Sequence, residues 1–286
     1  MLATVFLPIA LGIIMLGLGL SLKIEDFTRV LTYPKAVIIG LLCQMLLLPL
    51  VCFAVAVGFG LPAELAVGLM LLAASPGGAT ANLYSHLSNG NVALNITLTA
   101  VNSVLAIFTL PIIVNISLGY FMADNDTVVP LQFKKIIEVF AIILLPVVLG
   151  MFINAKSASF AKKAEKPFKI ASAVFLIIII VAAVLKDKEK IVDYFQQVGL
   201  AALVFNLASM AVGYFIPILL RVGKKEAIAI GMEIGIHNGT LAIYIALNVL
   251  KNDAMSFPPA VYSLIMFFTA AAFGWWVSRK TNSNKL

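Results

Sequence analysis

Long apolar runs separated by short polar turns pattern this chain from end to end. Seven of them are uninterrupted, near positions 3–22, 34–60, 92–120, 136–154, 170–185, 198–220 and 259–277. About 20 apolar residues cross a bilayer core as a helix, so each run predicts a transmembrane span. Two further runs are broken in the middle. The first follows the turn at Leu61-Pro62-Ala63-Glu64, stops at Ser75-Pro76-Gly77-Gly78, and resumes as a short helix from about 79 to 87. Proline removes a backbone donor and clashes with the preceding turn, while paired glycines let the backbone unwind. The second, over 225–250, carries Glu233, His237 and Asn238 between Gly231, Gly235 and Gly239. It predicts helix to about 234, a break over 235–239, and helix again from 240. Neither half of either run can cross alone, and such breaks occur only where freed backbone lines a buried or watery cavity. The pattern is that of an all-α polytopic membrane protein with nine spans.

Polar residues inside the runs are few and placed. Glu233 stands out, because a carboxylate at mid-membrane costs several kcal/mol unless compensated and marks a functional site by default. Gln44 sits in the middle of the second run, where it serves either a site or an interhelical hydrogen bond. Asn91, Asn95, Thr99 and Asn102 are spaced by four, four and three residues, which puts them on one helical face. Four on one stripe favour a lined site over packing. Asn206 and Ser209 read as packing residues, and Glu138 as the interfacial partner of Lys134. Gly12, Gly17 and Gly19 permit close helix approach.

The broken runs are the third and eighth in order, so they traverse the membrane in opposite directions, and each precedes one more long helix. Corresponding interruptions in two halves of opposite orientation predict an inverted repeat with a midplane site. Two crossing broken helices gather four half-helix ends: N-terminal ends favour anions, C-terminal ends and unwound carbonyls favour cations. The oxygens on offer are the Glu233 carboxylate, the amides of Gln44, Asn82 and Asn95, the Thr99 hydroxyl and the carbonyls of the Gly235 break. One carboxylate among neutral oxygens suits a monovalent hard cation, sodium, better than calcium or zinc.

Composition agrees. Hydrophobic residues make up 62% and charged residues 12% of 286 positions, against roughly a quarter charged in soluble domains. The net charge of +7 does not call for nucleic acid. With nine spans, fourteen of the 20 basic residues fall in loops on one side, and the positive-inside rule makes that side cytoplasmic. The expected topology is a multi-pass protein of the plasma (bacterial inner) membrane, N-terminus outside and C-terminus in the cytoplasm, with Trp275 and Trp276 at the interface. The first run is too long for a signal-peptide core and lacks a basic leader, so it is expected to stay in the mature chain. Cys43 and Cys52, about 13 Å apart along one helix, cannot pair.

The chain resembles the bile acid:sodium symporter family over essentially its whole length. The matching stretches are Leu16-Gly-Leu-Gly-Leu-Ser-Leu-Lys23, Ala36-Val-Ile-Ile-Gly-Leu-Leu-Cys-Gln44, Ser75-Pro-Gly-Gly78 with Asn82, Gly90-Asn-Val-Ala-Leu94 and Glu233-Ile-Gly-Ile-His-Asn238. The resemblance implies a panel domain (about 1–22 and 130–190) and a core domain (about 34–121 and 194–279) that move against each other. It implies a nine-span member, without the first helix of ten-span bacterial homologues. By position it implies one sodium site from Asn82, Asn95, Thr99 and Glu233. A second would use Gln44, Glu233, the backbone of Ile234 and Ile236, and His237. Substrate would lie by Asn238, Thr80 and Gly239. Three residues depart from the family pattern. Ala81 stands where serine is frequent, and Asn95 replaces a common serine. His237 replaces the usual glutamine, and an imidazole is a poor sodium ligand that could titrate near neutral pH.

The resulting expectation is a symporter that uses one or two sodium ions to drive uptake of a small organic anion by alternating access. A bile acid-like, pantoate-like or other carboxylate would fit. The alternative within the class is proton-coupled or facilitative transport through Glu233 and His237. An intramembrane enzyme using Ser75 or Ser85 with His86 or His237 is disfavoured, since no nucleophile–base pair is set by local spacing.

Overall fold

Ser75 precedes a proline, and Pro76 disfavours the helical region for it; its backbone is extended, at φ −74° and ψ 147°. That one local conflict divides the first broken run, and the rest of the architecture is arranged around it. The computed structural model describes residues 2–78, 80–123, 133–164, 167, 168, 170, 171, 174, 178 and 188–282. The helices are α1 (Leu2–Ser21), α2 (Ile24–Thr28), α3 (Pro34–Gly58), α4 (Ala63–Ala74), α5 (Ala81–Leu87), α6 (Val92–Phe121) and α7 (Phe133–Lys156). They continue with α8 (Lys188–Leu219), α9 (Lys224–Gly235), α10 (Gly239–Tyr244) and α11 (Phe257–Asn282).

Five helices among the described residues are long and apolar enough to cross a membrane. Two further helical stretches are each divided by a break, between α4 and α5 and between α9 and α10. The burial pattern is that of a membrane protein. Ile116, Leu145 and Phe268 are exposed, while Gln44, Asn95, Thr99, Asn206 and Glu233 are buried. Apolar side chains cover the perimeter and polar ones collect inside, where the membrane makes them costly unless they have partners.

Two helices sit apart from the rest in their pairing. α1 packs along α7, and glycines permit the contact: a Cβ on Gly19 would collide with the Val147 backbone, and one on Gly150 with the Leu16 carbonyl. The remaining long helices pack on the two broken pairs. α9 lies between α8, α6 and α5, and α11 contacts α4, α5, α8 and α10. In α3 the backbone widens into a π-turn over Cys43–Leu47, shortly before Pro49. π-turns inside helices frequently sit at functional sites, and this one contains Gln44. Both cysteines are free and buried.

Several expectations are revised. α8 starts at Lys188, not near 198. Hydropathy marks only the apolar part of the helix, and the polar stretch before it continues the same turns. Trp276 is turned inward against Tyr214, at 5.7 Å between ring centroids, while Trp275 stays exposed beneath Arg279. The acidic turn at 124–130, most of the predicted span at 170–185, Lys186 and Asp187 lie outside the described residues, as do the side chains of Lys134 and Glu138.

Candidate cation site at the helix crossing

The two breaks meet as a two-residue antiparallel bridge. Gly77 pairs with His237; the Gly78 amide donates to the Ile236 carbonyl at 2.7 Å, and the Asn238 amide donates to the Pro76 carbonyl at 2.9 Å. Backbone groups freed by each break are thus satisfied by the other, which answers the membrane's demand for internal pairing. Gly77 is glycine for a steric reason: a Cβ there would fall on the Glu233 carboxylate.

The second break has no proline. Ile236 is extended, at φ −115° and ψ 94°, and the Gly235 carbonyl left behind accepts from Asn206 Nδ2 at 2.9 Å and from the Tyr262 hydroxyl at 3.0 Å. This corrects two readings. Asn206 is a capping donor to the break as well as a packing residue, and the Gly235 carbonyl already holds two protein donors. The Ile236 carbonyl likewise accepts from Gly78.

The stripe on α6 meets α9 rung by rung. Asn91 Nδ2 donates to Glu226 Oε1 at 3.0 Å, Asn95 Nδ2 to the Ala229 carbonyl at 2.7 Å, and the Thr99 hydroxyl to Glu233 Oε2 at 2.6 Å. Each contact is one turn further along both helices. The donors of Asn91, Asn95 and Thr99 are spent on this seam, whereas Asn102 Nδ2, the next on the stripe, is buried with no partner. Asn95 Oδ1 and Glu233 Oε1 are buried with no hydrogen-bond partner, and so are Asn82 Oδ1 and Gln44 Oε1. Gln44 repeats the arrangement: its Nε2 donates to the Ser75 carbonyl at 3.0 Å, which turns its oxygen free. Buried acceptors are ordinarily satisfied, so several unpaired oxygens on the elements that carry one buried carboxylate describe a place for a positive charge. Sodium, a hard cation, fits such a donor set. No cluster of three or more His, Cys, Asp or Glu side chains exists among the described residues, so the ligands for zinc-type coordination are not gathered.

Hydrogen bonds join Asn95, Thr99 and Glu233 directly, and Asn82 is buried on the adjoining half-helix α5. Gln44 and His237 meet at a different point: His237 Nδ1 lies 3.3 Å from the same Ser75 carbonyl. Its Nε2 is buried without a partner, and the ring stacks on Phe205 at 6.0 Å with Tyr262 edge-on at 5.4 Å. Ile234 is fully buried, its side chain against Gly213. Of the substrate candidates, Asn238 caps α10 by accepting from the Leu241 amide at 3.1 Å. Gly239 packs on Ser263. Thr80 precedes α5 without a side-chain cap bond. Asn238 also lines a small cavity of about 80 Å³, with Pro76, Ser103 and apolar side chains of α1 and α7.

Sequence reasoning missed Tyr262, Glu226 and the Ser75 carbonyl. A tyrosine within an apolar span carries a hydroxyl that needs a partner when buried, and that was the available signal for Tyr262.

A profile described as the Sodium Bile acid symporter family matches residues 8–194. An uncharacterized sodium-dependent transporter of Bacillus subtilis (strain 168) is 28% identical over 259 residues, covering 91% of this chain and 78% of that protein. A probable chloroplastic sodium/metabolite cotransporter of Oryza sativa subsp. japonica is 26% identical over 285 residues, covering 99% of this chain and 66% of its own length. The ileal sodium/bile acid cotransporter of Oryctolagus cuniculus is 26% identical over 271 residues, covering 93% and 77%.

Proposed function

Because this chain belongs to the sodium bile acid symporter family, a family of transporters and not of enzymes, we propose that it is a sodium-coupled carrier of a small organic anion in a multi-pass membrane setting. The observation that carries this reading is the set of unpartnered buried oxygens on Asn82, Asn95 and Glu233 beside the Thr99–Glu233 bond. One sodium ion held there would replace the donors that these three side chains lack, with the Thr99 hydroxyl beside it. At the second position, Gln44 supplies an oxygen but His237 presents a ring nitrogen, so we assign one sodium ion to the first site.

Nine spans in an inverted repeat are supported by the pairing at the two outer ends of the crossing. Glu226, in the first turn of α9, accepts from Asn91, which caps α6. Glu64, in the first turn of α4, accepts from Asn252 at 2.7 Å, and Asn252 caps the next turn at Met255. The entry of each broken span is tied to the exit of the other by the same residue pair. In this scheme α1 and α7 form the panel, the crossed pairs and their neighbours form the core, and alternating access moves one against the other. The lysine-rich loops support a cytoplasmic C-terminus. The anion would bind between the two bodies near Thr80, Asn238 and Gly239, where half-helices α5 and α10 begin.

The test is uptake of radiolabelled organic anions, taurocholate, pantoate and pyruvate among them, into proteoliposomes. An inward sodium gradient should drive accumulation, and an equal potassium gradient should not. Accumulation that follows a pH gradient and ignores sodium would replace this reading by proton coupling.

A further inference from the structure

The structure holds a second chemically distinct space, on the lysine-rich side. A cavity of about 450 Å³ opens between α1, the start of α6 and the segment after α7, and Lys23, His86 and Lys162 line it together with Asn82 and Asn154. No carboxylate lines it among the described residues. Asp26, three residues on, is already engaged: it accepts from Arg29 at 2.5 Å and from the Lys23 backbone amide at 2.7 Å. The Lys23 ammonium makes no ion pair among the described residues, although Glu25 lines with it a neighbouring cavity. Glu165, one turn after Lys162, lies outside the described residues.

Asn82 connects this cavity to the cation site. Its side chain is 8% exposed, and its Oδ1 is buried and unpartnered, yet the residue lines the cavity wall. An amide carries an acceptor and a two-hydrogen donor on one rigid plane. If the oxygen is turned in toward a cation, the amino end is the part left to face an anion.

Building on the sodium-symport reading, we propose that Lys23, Lys162, His86 and the Asn82 amino group form a docking site for a small dianion. Two ammonium groups match two negative charges, as in a dicarboxylate or a phosphate ester, better than one. The cation, by orienting the Asn82 amide through Oδ1, sets up its donor for the anion. Anions docked in this cavity are then compact and doubly charged, held on the lysine-rich side of the crossing.

The experiment is thermal stability of the purified full chain in phosphatidylcholine nanodiscs, with sodium or potassium, and with succinate, inorganic phosphate or butyrate added. Succinate and butyrate differ by one carboxylate. Succinate or phosphate should stabilise the sodium-loaded protein at concentrations where butyrate does not, and Lys23→Gln or Lys162→Gln should weaken that effect roughly tenfold, as expected for losing one charge-assisted contact. Both variants should keep the sodium shift, whereas Asn82→Ala should lose the sodium shift and the anion shift together. A sodium shift in the absence of anion isolates the parent reading; if it is missing, that reading fails. If it is present but succinate and phosphate act no better than butyrate, or the lysine variants respond as the parent protein does, the dianion site is wrong. Stabilisation by phosphatidylglycerol in the nanodisc, with none from either soluble dianion, would assign the lysines to lipid headgroups and overturn it too.

Discussion

The two broken helices do the same structural task with different chemistry. The first stops at a proline and passes through glycines, so local residues set where it breaks, while Gln44 and the opposite break pair the backbone it frees. The second has no proline and keeps the ionisable groups: Glu233 lies within the last turn of α9 and His237 in the gap. Its end at Gly235 is fixed from outside, by Asn206 on α8 and Tyr262 on α11. The first break is thus a rigid frame whose position is written into its own sequence, and the second ends where its neighbours on α8 and α11 hold it. A carboxylate placed next to the tertiary-held break is positioned to report on, and respond to, the packing around it.

That contrast makes different substitutions unequal. The largest effect is expected for Gly77→Ala, whose Cβ would overlap the Glu233 carboxylate against a bridged backbone. A loss of about 3 kcal/mol or a failure to fold is expected, measured by monodispersity and unfolding temperature, while Gly58→Ala, with open space around it, should be silent. Equal behaviour of the two would mean that the first break is not a rigid frame. Next, Tyr262→Phe and Asn206→Ala each remove one of two donors from the Gly235 carbonyl. Each should cost about 1 kcal/mol, and the double variant should cost more than their sum, because only then is the carbonyl orphaned. Strict additivity would show that the second break does not depend on them jointly. The smallest effects belong to the outer ties. Glu64→Gln and Glu226→Gln should each cost about 0.5–1.5 kcal/mol, and by similar amounts if the two ends are equivalent. A loss confined to one of them would break the equivalence.

The difference between the breaks also explains what the sequence revealed. Ser75-Pro76-Gly77-Gly78 is a local instruction, so the first interruption could be placed within a residue or two of where α4 ends. At the second break glycines and polar residues placed the interruption within a residue as well, but not the donors, 27 and 29 positions away, that hold the Gly235 carbonyl at its end. The stripe Asn91, Asn95, Thr99 was legible from spacing alone. Which atom of each amide remains free was not, because that depends on carbonyls such as Ala229 and Ser75 that periodicity cannot assign. The start of α8 was missed for a simpler reason: hydropathy sees the bilayer, and the helix extends beyond it.

The central claim is that Glu233, with Asn82, Asn95 and Thr99, holds a sodium ion at the crossing. The most direct measurement is a sodium titration of thermal stability at constant ionic strength, with potassium replacing sodium, in the parent protein and in Glu233→Gln. The parent should gain stability with sodium and not with potassium. Glu233→Gln should fold, because it keeps the shape of the side chain without its charge, and should show no sodium response. A sodium-specific gain of the same size in Glu233→Gln would contradict the account.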